Sequence, residues 1–240
     1  MSNHYFQFKQ FKIEQEHCAM KVCTDACFFG AWSVELLAAQ NYSSQIKVLD
    51  IGTGTGLLSL ILSQEIDCSI DAIEIDEAAA KQAANNFSAA SFGSNIKTIT
   101  TDITNWDSNN RYDCIITNPP FFENDLLSTD SKRNLALHST ALNLKELAAI
   151  IEKKITPDGI AAILLPFHRK ESIIQLAQEK GLLLFANADI KQTPTHPHFR
   201  TFLAFSKKAK TLQSEEIIIQ DNRVYTERFI NLLKNYYLAF

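Results

Sequence analysis

The stretch VLDIGTGTG, from Val48 to Gly56, decides the fold. Its hydrophobic first half predicts a buried strand, and its glycine-rich second half runs into the helical pattern LLSLILS. Glycine lets the backbone turn sharply and approach a ligand closely, and the free N–H groups at a helix N-terminus attract an anion. We therefore predict a strand–loop–helix unit that binds a cofactor, with a ligand-free tight turn as the alternative.

The spacing within this loop distinguishes between classes of cofactor. Dinucleotide-binding loops favour G-x-G-x-x-G. In this chain Asp50 precedes three glycines at every second position: Gly52, Gly54 and Gly56. A carboxylate ahead of the loop is unfavourable for a pyrophosphate but suits an ammonium or sulfonium group. We predict S-adenosylmethionine, whose own carboxylate can bind the N–H groups of the loop.

Beyond this loop, short apolar strands alternate with helical patterns, which is typical of a parallel sheet wound with helices. We predict an α/β fold with a seven-stranded, mostly parallel, doubly wound sheet of the Rossmann-like kind. The predicted strands are 46–51, 69–75, 96–100, 112–117, 160–165, 182–188 and 199–206. Helices are predicted at 77–91 and 144–155, and a last amphipathic stretch carries Phe229, Leu232, Leu233 and Tyr236.

The first 45 residues do not follow this alternation. FQFKQFKI, residues 6–13, has the period of a strand. TDACFFGAWSVELL, residues 24–37, opens a helix that Thr24 or Asp25 is expected to cap. We expect residues 1–45 to form an extension that packs on the core, and residues 46–240 to form the rest of a single domain.

Acidic residues follow the next two predicted strands. Glu74 comes at the end of the strand after the glycine loop, where an acid can accept hydrogen bonds from both hydroxyls of a ribose. Asp76 precedes a helix-forming run and is expected to cap that helix. Asp102 follows the third strand and can accept from an adenine amino group; the alternative is a helix or turn cap.

A second unusual stretch is IITNPPFFEN, residues 115–124. The prolines must end the strand, because neither ring nitrogen can donate to the sheet. One proline would be enough for that purpose, so the pair, placed between Asn118 and Phe121, predicts a rigid clamp at the carboxyl end of the strand. The connection 121–143 is too long for a simple turn and is expected to carry function.

Composition excludes several classes of protein. No apolar run reaches the roughly 18 residues of a membrane span, and the first residues show no secretory signal, so we expect a cytoplasmic protein without a membrane partner. The net charge of −4 argues against a general nucleic-acid coat. We expect the five cysteines to be packed thiols and predict no metal, and we favour a monomer.

One stretch, 190–214, is basic in spite of the acidic total. It contains no acidic residue and five positively charged ones: Lys191, Arg200, Lys207, Lys208 and Lys210. These residues either form a surface that contacts the phosphates of an RNA or are a solvated edge of the protein.

Taken together, DIGTGTG, IEID, TTDI and NPPF, in this order, resemble the seven-stranded S-adenosylmethionine-dependent methyltransferases. Within them, N-P-P-[YF] resembles enzymes that methylate a planar nitrogen on adenine, cytosine or a glutamine amide. The N-terminal FKQFKIEQEHCAMKVCTDACFFGAW and the closing IIIQDNRVYTERFINLLKNYYL are similar to the bacterial tRNA (adenine-N6)-methyltransferases that act on adenosine 37 of valine tRNA. The resemblance covers nearly the whole chain.

The resemblance implies roles for further residues. Lys21, Thr24 and Asp25 match an N-terminal motif expected near the methionine end of the cofactor. Phe121 departs from the family pattern, where tyrosine is common, and retains stacking without a hydroxyl. The run around His138, LALHST, also departs, because relatives often carry charged residues there.

The resemblance also gives the clamp a chemical role. An adenine amino nitrogen is a poor nucleophile because its lone pair is delocalised into the ring. The side-chain oxygen of Asn118 and the carbonyl of Pro119 could each accept one N–H and so favour the pyramidal nitrogen of the transition state. Pro119 and Pro120 hold these acceptors, and Phe121 stacks on the base that is turned out into the pocket. These four residues are the predicted catalytic set.

Two rival functions remain open on the sequence alone. A protein glutamine methyltransferase uses the same N-P-P-[YF] to hold a side-chain amide, but such enzymes typically carry a separate helical N-terminal domain. A catalytically silent module that binds S-adenosylmethionine or RNA would not need to retain both Asn118 and Asp50.

Overall fold

The computed structural model describes residues 4–18, 20–40, 42–120 and 143–240. The first two strands, β1 (Tyr5–Gln7) and β2 (Lys12–Glu14), form an antiparallel hairpin. The central sheet contains β3 (Ile46–Ile51), β4 (Cys68–Glu74), β5 (Ile96–Thr100), β6 (Tyr112–Thr117), β7 (Ile155–Pro166), β8 (Leu183–Lys191), β9 (His198–Ser206) and β10 (Gln213–Ile218). A last hairpin consists of β11 (Gln220–Asp221) and β12 (Val224–Tyr225).

The helices connect these strands. They are α1 (Thr24–Ala38), α2 (Leu57–Glu65), α3 (Glu77–Ala89), α4 (Leu144–Lys154), α5 (Lys170–Glu179) and α6 (Glu227–Leu233). The predicted helices 77–91 and 144–155 correspond to α3 and α4, and the predicted final amphipathic stretch corresponds to α6. Phe229, Leu232 and Leu233 of that stretch are buried, as its pattern predicts.

The sheet confirms the predicted α/β class but has one more strand than predicted. Its order is β10-β8-β9-β7-β6-β3-β4-β5, and among these eight strands β9 runs antiparallel to both of its neighbours. All seven predicted strands are present. The eighth, β10, pairs in parallel with β8 at the edge of the sheet. Its first four residues, Gln213–Glu216, are all polar, so they show no alternation of apolar and polar residues. Such a run can form a strand at the edge of a sheet, where its side chains stay in water.

Successive side chains of each strand face opposite layers of the core. Val48 belongs to the layer formed with α1, α2, α3 and α6, and Leu49 belongs to the layer formed with α4 and α5. Phe8 and Ile13 from the N-terminal hairpin are fully buried in the first layer. The N-terminal extension therefore contributes to the same hydrophobic core as the sheet.

The start of α1 differs from the prediction. The N-cap is Cys23, with no side-chain cap hydrogen bond, so the expectation that Thr24 or Asp25 caps this helix is wrong. The Asp25 carboxylate binds Arg200 instead: Arg200 Nε donates to Asp25 Oδ2 at 2.9 Å. An ion pair with a residue 175 positions away gave no local signal in the sequence.

The order of the strands determines where a ligand can bind. From β3 the chain moves outward to β4 and β5 and then returns to β6 on the other side of β3. Ligands of open α/β sheets bind at such a reversal, in the crevice at the carboxyl ends of the strands. The glycine loop follows β3, and Asn118 follows β6, so both sequence motifs lie at this crevice.

Candidate active site

The glycine loop has a backbone that only glycine adopts readily. Gly52, Gly54 and Gly56 have φ values of 72°, 55° and 83°. A Cβ added to Gly52 or Gly54 would meet no atom within 4 Å, whereas one on Gly56 would lie 2.4 Å from Phe87 Cε1. The first two glycines therefore border open space, and the third allows α3 to pack closely against the loop.

The buried Asn86 of α3 connects this loop to the N-terminal hairpin. Its Nδ2 donates to the carbonyl oxygens of Thr55, at 2.8 Å, and Glu14, at 2.9 Å, and its Oδ1 accepts from the N–H of Glu14. Sequence analysis missed this residue. The available signal was its position on the buried face of α3, where Ala79, Ala83 and Asn86 follow helical spacing.

Asp50 is fully buried at the end of β3. Thr53 Oγ1 and Ser59 Oγ each donate to its Oδ2 at 2.7 Å. Within the described part of the chain, its Oδ1 is buried and accepts no hydrogen bond. Burial raises the pKa of Asp50 to about 6, although the two hydroxyl donors act in the opposite direction. An acceptor held in this way can bind a ligand that donates a proton or carries a positive charge.

The raised pKa predicts how stability depends on pH. In the unfolded chain Asp50 loses its proton near its ordinary pKa of 3.8, whereas in the folded protein it keeps the proton up to about pH 6. The free energy of unfolding should therefore fall as the pH rises from about 4 to 6, by roughly 3 kcal/mol from this residue. Urea denaturation of the wild type and of Asp50→Asn across this range measures the difference.

Other groups titrate in the same pH range, so the prediction concerns the difference between the two proteins. Asp50→Asn removes the titrating group and keeps an oxygen to accept from Thr53 and Ser59. As the pH rises, the unfolding free energy of the variant should increase relative to that of the wild type. Parallel curves would contradict the assignment of a raised pKa to Asp50.

Glu74 bridges the end of β4 and the glycine loop. Its Oε2 accepts from Gly54 N at 2.9 Å, and its Oε1 accepts from the N–H groups of Ile75 and Asp76. A carboxylate has about four acceptor sites, so one remains for a ligand hydroxyl. Asp76 accepts from Ala79 N at 2.8 Å, which confirms the predicted cap of α3. Ile75 is 52% exposed and provides an apolar surface beside Glu74.

Asp102 follows β5 and closes a turn. Its Oδ1 accepts from the N–H and hydroxyl of Thr104, and its Oδ2 accepts from Asn105 Nδ2 at 3.1 Å. The turn-capping alternative of the sequence analysis is therefore present in the structure. The contact with an adenine amino group stays a prediction. Such a contact would use the remaining lone pair of Asp102 Oδ2.

The described clamp residues, Asn118 to Pro120, follow β6, the direct neighbour of β3. Thr117, the last residue of β6, donates its hydroxyl to the carbonyl of Ile51 at 2.9 Å and so joins the ends of β6 and β3. The next residue, Asn118, has a buried Oδ1 that accepts no hydrogen bond from the described residues. Pro119 is buried and Pro120 is exposed. Phe121 and His138 lie outside the described residues.

Asp25, one of the predicted N-terminal site residues, lies at the same edge of the sheet. Arg200, which binds Asp25, pairs with Pro166 at the carboxyl end of β7, and β7 is the direct neighbour of β6. Thr24 and Lys21 are exposed close to the start of α1. Two strand spacings separate β9 from β6, so the Asp25–Arg200 pair lies about 10 Å from the strand that carries Asn118.

The structure divides the five basic residues between two edges of the sheet. Lys191 and Arg200 lie at the carboxyl edge, whereas Lys207, Lys208 and Lys210 follow β9 at the amino edge, about 20 Å away. All five have partners: Lys191 pairs with Glu216 and Arg200 with Asp25, and the other three bind Glu152, Asp158 and Gln40, respectively. They do not form one continuous surface.

The described residues contain neither a membrane-spanning helix nor a metal-binding cluster. In the ranges given above, no helix is long and apolar enough to cross a membrane. The same ranges contain no group of three or more His, Cys, Asp or Glu side chains that could hold a metal ion. The five cysteines, all described, are free thiols, and four of them are buried.

Comparison with known proteins identifies relatives over the whole chain. Residues 30–147 match the family model of the methyltransferase small domain. The chain is 37% identical to a tRNA1(Val) (adenine(37)-N6)-methyltransferase of Parabacteroides distasonis, over 99% of both chains. Proteins of the same name from Dyadobacter fermentans and Trichodesmium erythraeum are 37% and 35% identical and also match over 99% or more of each chain.

Solved structures share the fold at lower sequence identity. A predicted O-methyltransferase from Agrobacterium tumefaciens superimposes with a TM-score of 0.66 at 13% identity, over 88% of this chain and 95% of that one. A structure from Listeria monocytogenes, described as a class I S-adenosylmethionine-dependent methyltransferase, superimposes with a TM-score of 0.59 at 12% identity, over 82% of this chain and 67% of that one. These likenesses concern the fold alone.

Proposed function

The chain belongs to the family of bacterial tRNA1(Val) (adenine(37)-N6)-methyltransferases, and we propose that it transfers a methyl group from S-adenosylmethionine to the exocyclic amino group of adenosine 37 in valine tRNA. The observation that carries this proposal is the side chain of Asn118. Its Oδ1 is buried and without a partner among the described residues, and it lies at the crevice between β3 and β6. A buried acceptor of this kind requires a donor, and an amino group supplies one.

The residues around the glycine loop fit S-adenosylmethionine. Gly52 and Gly54 leave open space where any other residue would place a Cβ. Asp50 offers a buried acceptor that has no partner in the described chain, which suits a cationic ligand, and Glu74 keeps one acceptor site for a ribose hydroxyl. When bound, S-adenosylmethionine supplies a methyl group that a nitrogen nucleophile can attack.

The contribution of the protein is to orient the nitrogen. Asn118 Oδ1 and the Pro119 carbonyl each accept one N–H of the amino group, which favours the pyramidal geometry in which the lone pair leaves the ring system. This interaction is stronger in the transition state than in the planar ground state, so it accelerates the reaction. Pro119 and Pro120 restrict the backbone, which fixes the direction of both acceptors before the substrate arrives.

The reaction also requires a base outside the stack of its neighbours. Unstacking costs less in a single-stranded anticodon loop than in a duplex. Phe121 is proposed to stack on the base, although this residue lies outside the described part of the chain. Arg200 and Lys191 lie on the carboxyl edge, and we propose that they, rather than the lysines of the amino edge, contribute to RNA binding. Because the substrate is tRNA, we place the reaction in the cytoplasm.

The glutamine methyltransferase alternative is not favoured. The relatives that match this chain from end to end are named as tRNA enzymes. In addition, the described residues before β3 contribute Phe8, Ile13 and α1 to the main core.

The proposed function is tested with an unmodified valine tRNA transcript. The purified protein, incubated with this RNA and S-adenosylmethionine, should produce 6-methyladenosine, detected by mass spectrometry of the nucleosides. The matched control is the same transcript with guanosine at position 37, which should gain no methyl group. Methyl transfer to both transcripts would show that adenosine 37 is not the target. Transfer to a release factor and to neither transcript would show a protein methyltransferase instead.

A further inference from the structure

A second cleft lies at the carboxyl edge of the sheet, beyond the active site. Its volume is about 430 Å³, and its walls include Phe199 at the start of β9, Gln192 after β8 and the start of α1 at Thr24. The order of the strands places β6 and β7 between this cleft and the glycine loop. The cleft thus lies on the other side of Asn118 from the glycine loop. Thr24 and Asp25, which the resemblance placed near the methionine end of the cofactor, line this cleft and not the glycine loop.

The hairpin β11–β12 forms the outer wall of this cleft. Gln220 and Tyr225 line the cleft, and the tip of the hairpin consists of Asn222 and Arg223, with φ values of 48° and 66°. Asparagine tolerates this conformation, but an arginine there is less favourable than a glycine. Val224 beside it is 66% exposed. An arginine and an exposed valine at a strained turn suggest that the tip is used for binding.

Tyr225 is held as a rigid aromatic surface. Its ring stacks on the buried Phe229, with centroids 5.1 Å apart and an angle of 19° between the planes, and the ring of Phe240 packs at 80° to it. The residue nevertheless remains 43% exposed. A flat ring that is fixed on one side and open on the other binds a second flat group at little cost in side-chain entropy.

The opposite wall is also fixed. The guanidinium of Arg200 lies 5.6 Å from the centre of the Phe199 ring, and the ion pair with Asp25 anchors it. Two amide side chains, Gln192 and Gln220, also line this cleft. Each can donate hydrogen bonds to the edge of a nucleobase and accept them from it. Two aromatic rings and two amides in the cleft, with Arg223 at the tip of the hairpin that carries Gln220 and Tyr225, match a nucleotide in its single-stranded form.

We propose that this cleft binds a nucleotide next to the target adenosine, with its base against Tyr225 and its phosphate against Arg223. The inference rests on the proposed function, because it needs the target base at Asn118. The cleft begins about 10 Å from the strand that carries Asn118, which one or two nucleotides of an extended loop can span. Arg223 and Tyr225 are therefore assigned to substrate recognition and not to the transfer step.

The first test is Arg223→Gly. Glycine accepts the positive φ, so the melting temperature should stay the same or rise, which separates recognition from folding. With an RNA stem–loop of the valine anticodon as substrate, KM should rise several-fold at constant kcat, and the salt dependence of binding should weaken by about one phosphate contact. Lys208→Ala, at the amino edge, is the charge-matched control and should leave KM unchanged.

The second test is Tyr225→Ala, compared with Tyr225→Phe. Loss of one stacked base should raise KM about 5- to 100-fold, whereas phenylalanine keeps the stacking and should retain the KM of the wild type. If Tyr225→Ala lowers the melting temperature, Arg223→Gly still decides the question because it leaves the packing intact. An unchanged KM in Arg223→Gly, or in a folded Tyr225→Ala, overturns the assignment of that residue.

The wild type distinguishes this inference from the proposed function. If the wild type methylates the stem–loop but both variants keep its KM, the cleft has no role in recognition and the proposed function stands. If the wild type does not methylate adenosine 37 at all, the proposed function fails and the inference fails with it.

Discussion

Replacement of Asn118 by alanine should slow methyl transfer by about 10²-fold or more and leave cofactor binding unchanged. The side-chain oxygen of Asn118 is buried without a partner among the described residues, and the proposed mechanism assigns it to the substrate amino group. Removal of one preorganised polar contact to a transition state typically costs about this factor, roughly 3 kcal/mol. Single-turnover methylation of the tRNA transcript measures the rate, and titration calorimetry with S-adenosylmethionine measures the binding.

The control for this variant is Asn110→Ala. It removes the same side chain from the exposed segment before β6, at the opposite end of the strand from Asn118. Both rate and binding should match the wild type. If Asn118→Ala folds, binds S-adenosylmethionine and turns over at the rate of the wild type, then Asn118 does not orient the amino group and the proposed mechanism is wrong.

The strands that form the crevice could be predicted from the sequence because they are buried on both faces. In β3 and β6, hydrophobic residues continue for the length of the strand, and the motifs follow immediately after each one. Since parallel strands bring their carboxyl ends to one edge, the fold class alone places the residues that follow β3 and β6 at the same edge of the sheet. The predicted bounds of β3, β5 and β6 match the structure.

The surface could not be predicted in the same way. The stretch 190–214 is continuous in sequence, but β9 carries its two ends to opposite edges of the sheet. Sequence proximity therefore suggested one basic surface where the structure has two. The Asp25–Arg200 ion pair and the contacts of Asn86 also depend on residues brought together by the tertiary fold. Local patterns contain no information about such pairs.

The glycine loop provides the second large effect, because Gly56→Ala should destabilise the protein by about 2–5 kcal/mol. About 1–2 kcal/mol comes from the left-handed backbone at φ 83°, and about 1–3 kcal/mol comes from forcing a Cβ against the ring of Phe87, 2.4 Å away. Gly52→Ala is the matched control: its φ of 72° imposes the same kind of strain, but no atom lies within 4 Å of the new Cβ. Urea denaturation of both variants measures the difference.

A double-mutant cycle with Phe87→Leu separates the two contributions. Leucine lacks the ring carbons that the new Cβ would approach, so Gly56→Ala should cost less in the Phe87→Leu background than in the wild type, and the remaining cost should approach that of Gly52→Ala. Equal costs in both backgrounds would mean that Phe87 does not limit this position. Gly52→Ala should instead weaken S-adenosylmethionine binding, because its Cβ fills the open side of the loop, where close approach to the ligand requires a glycine.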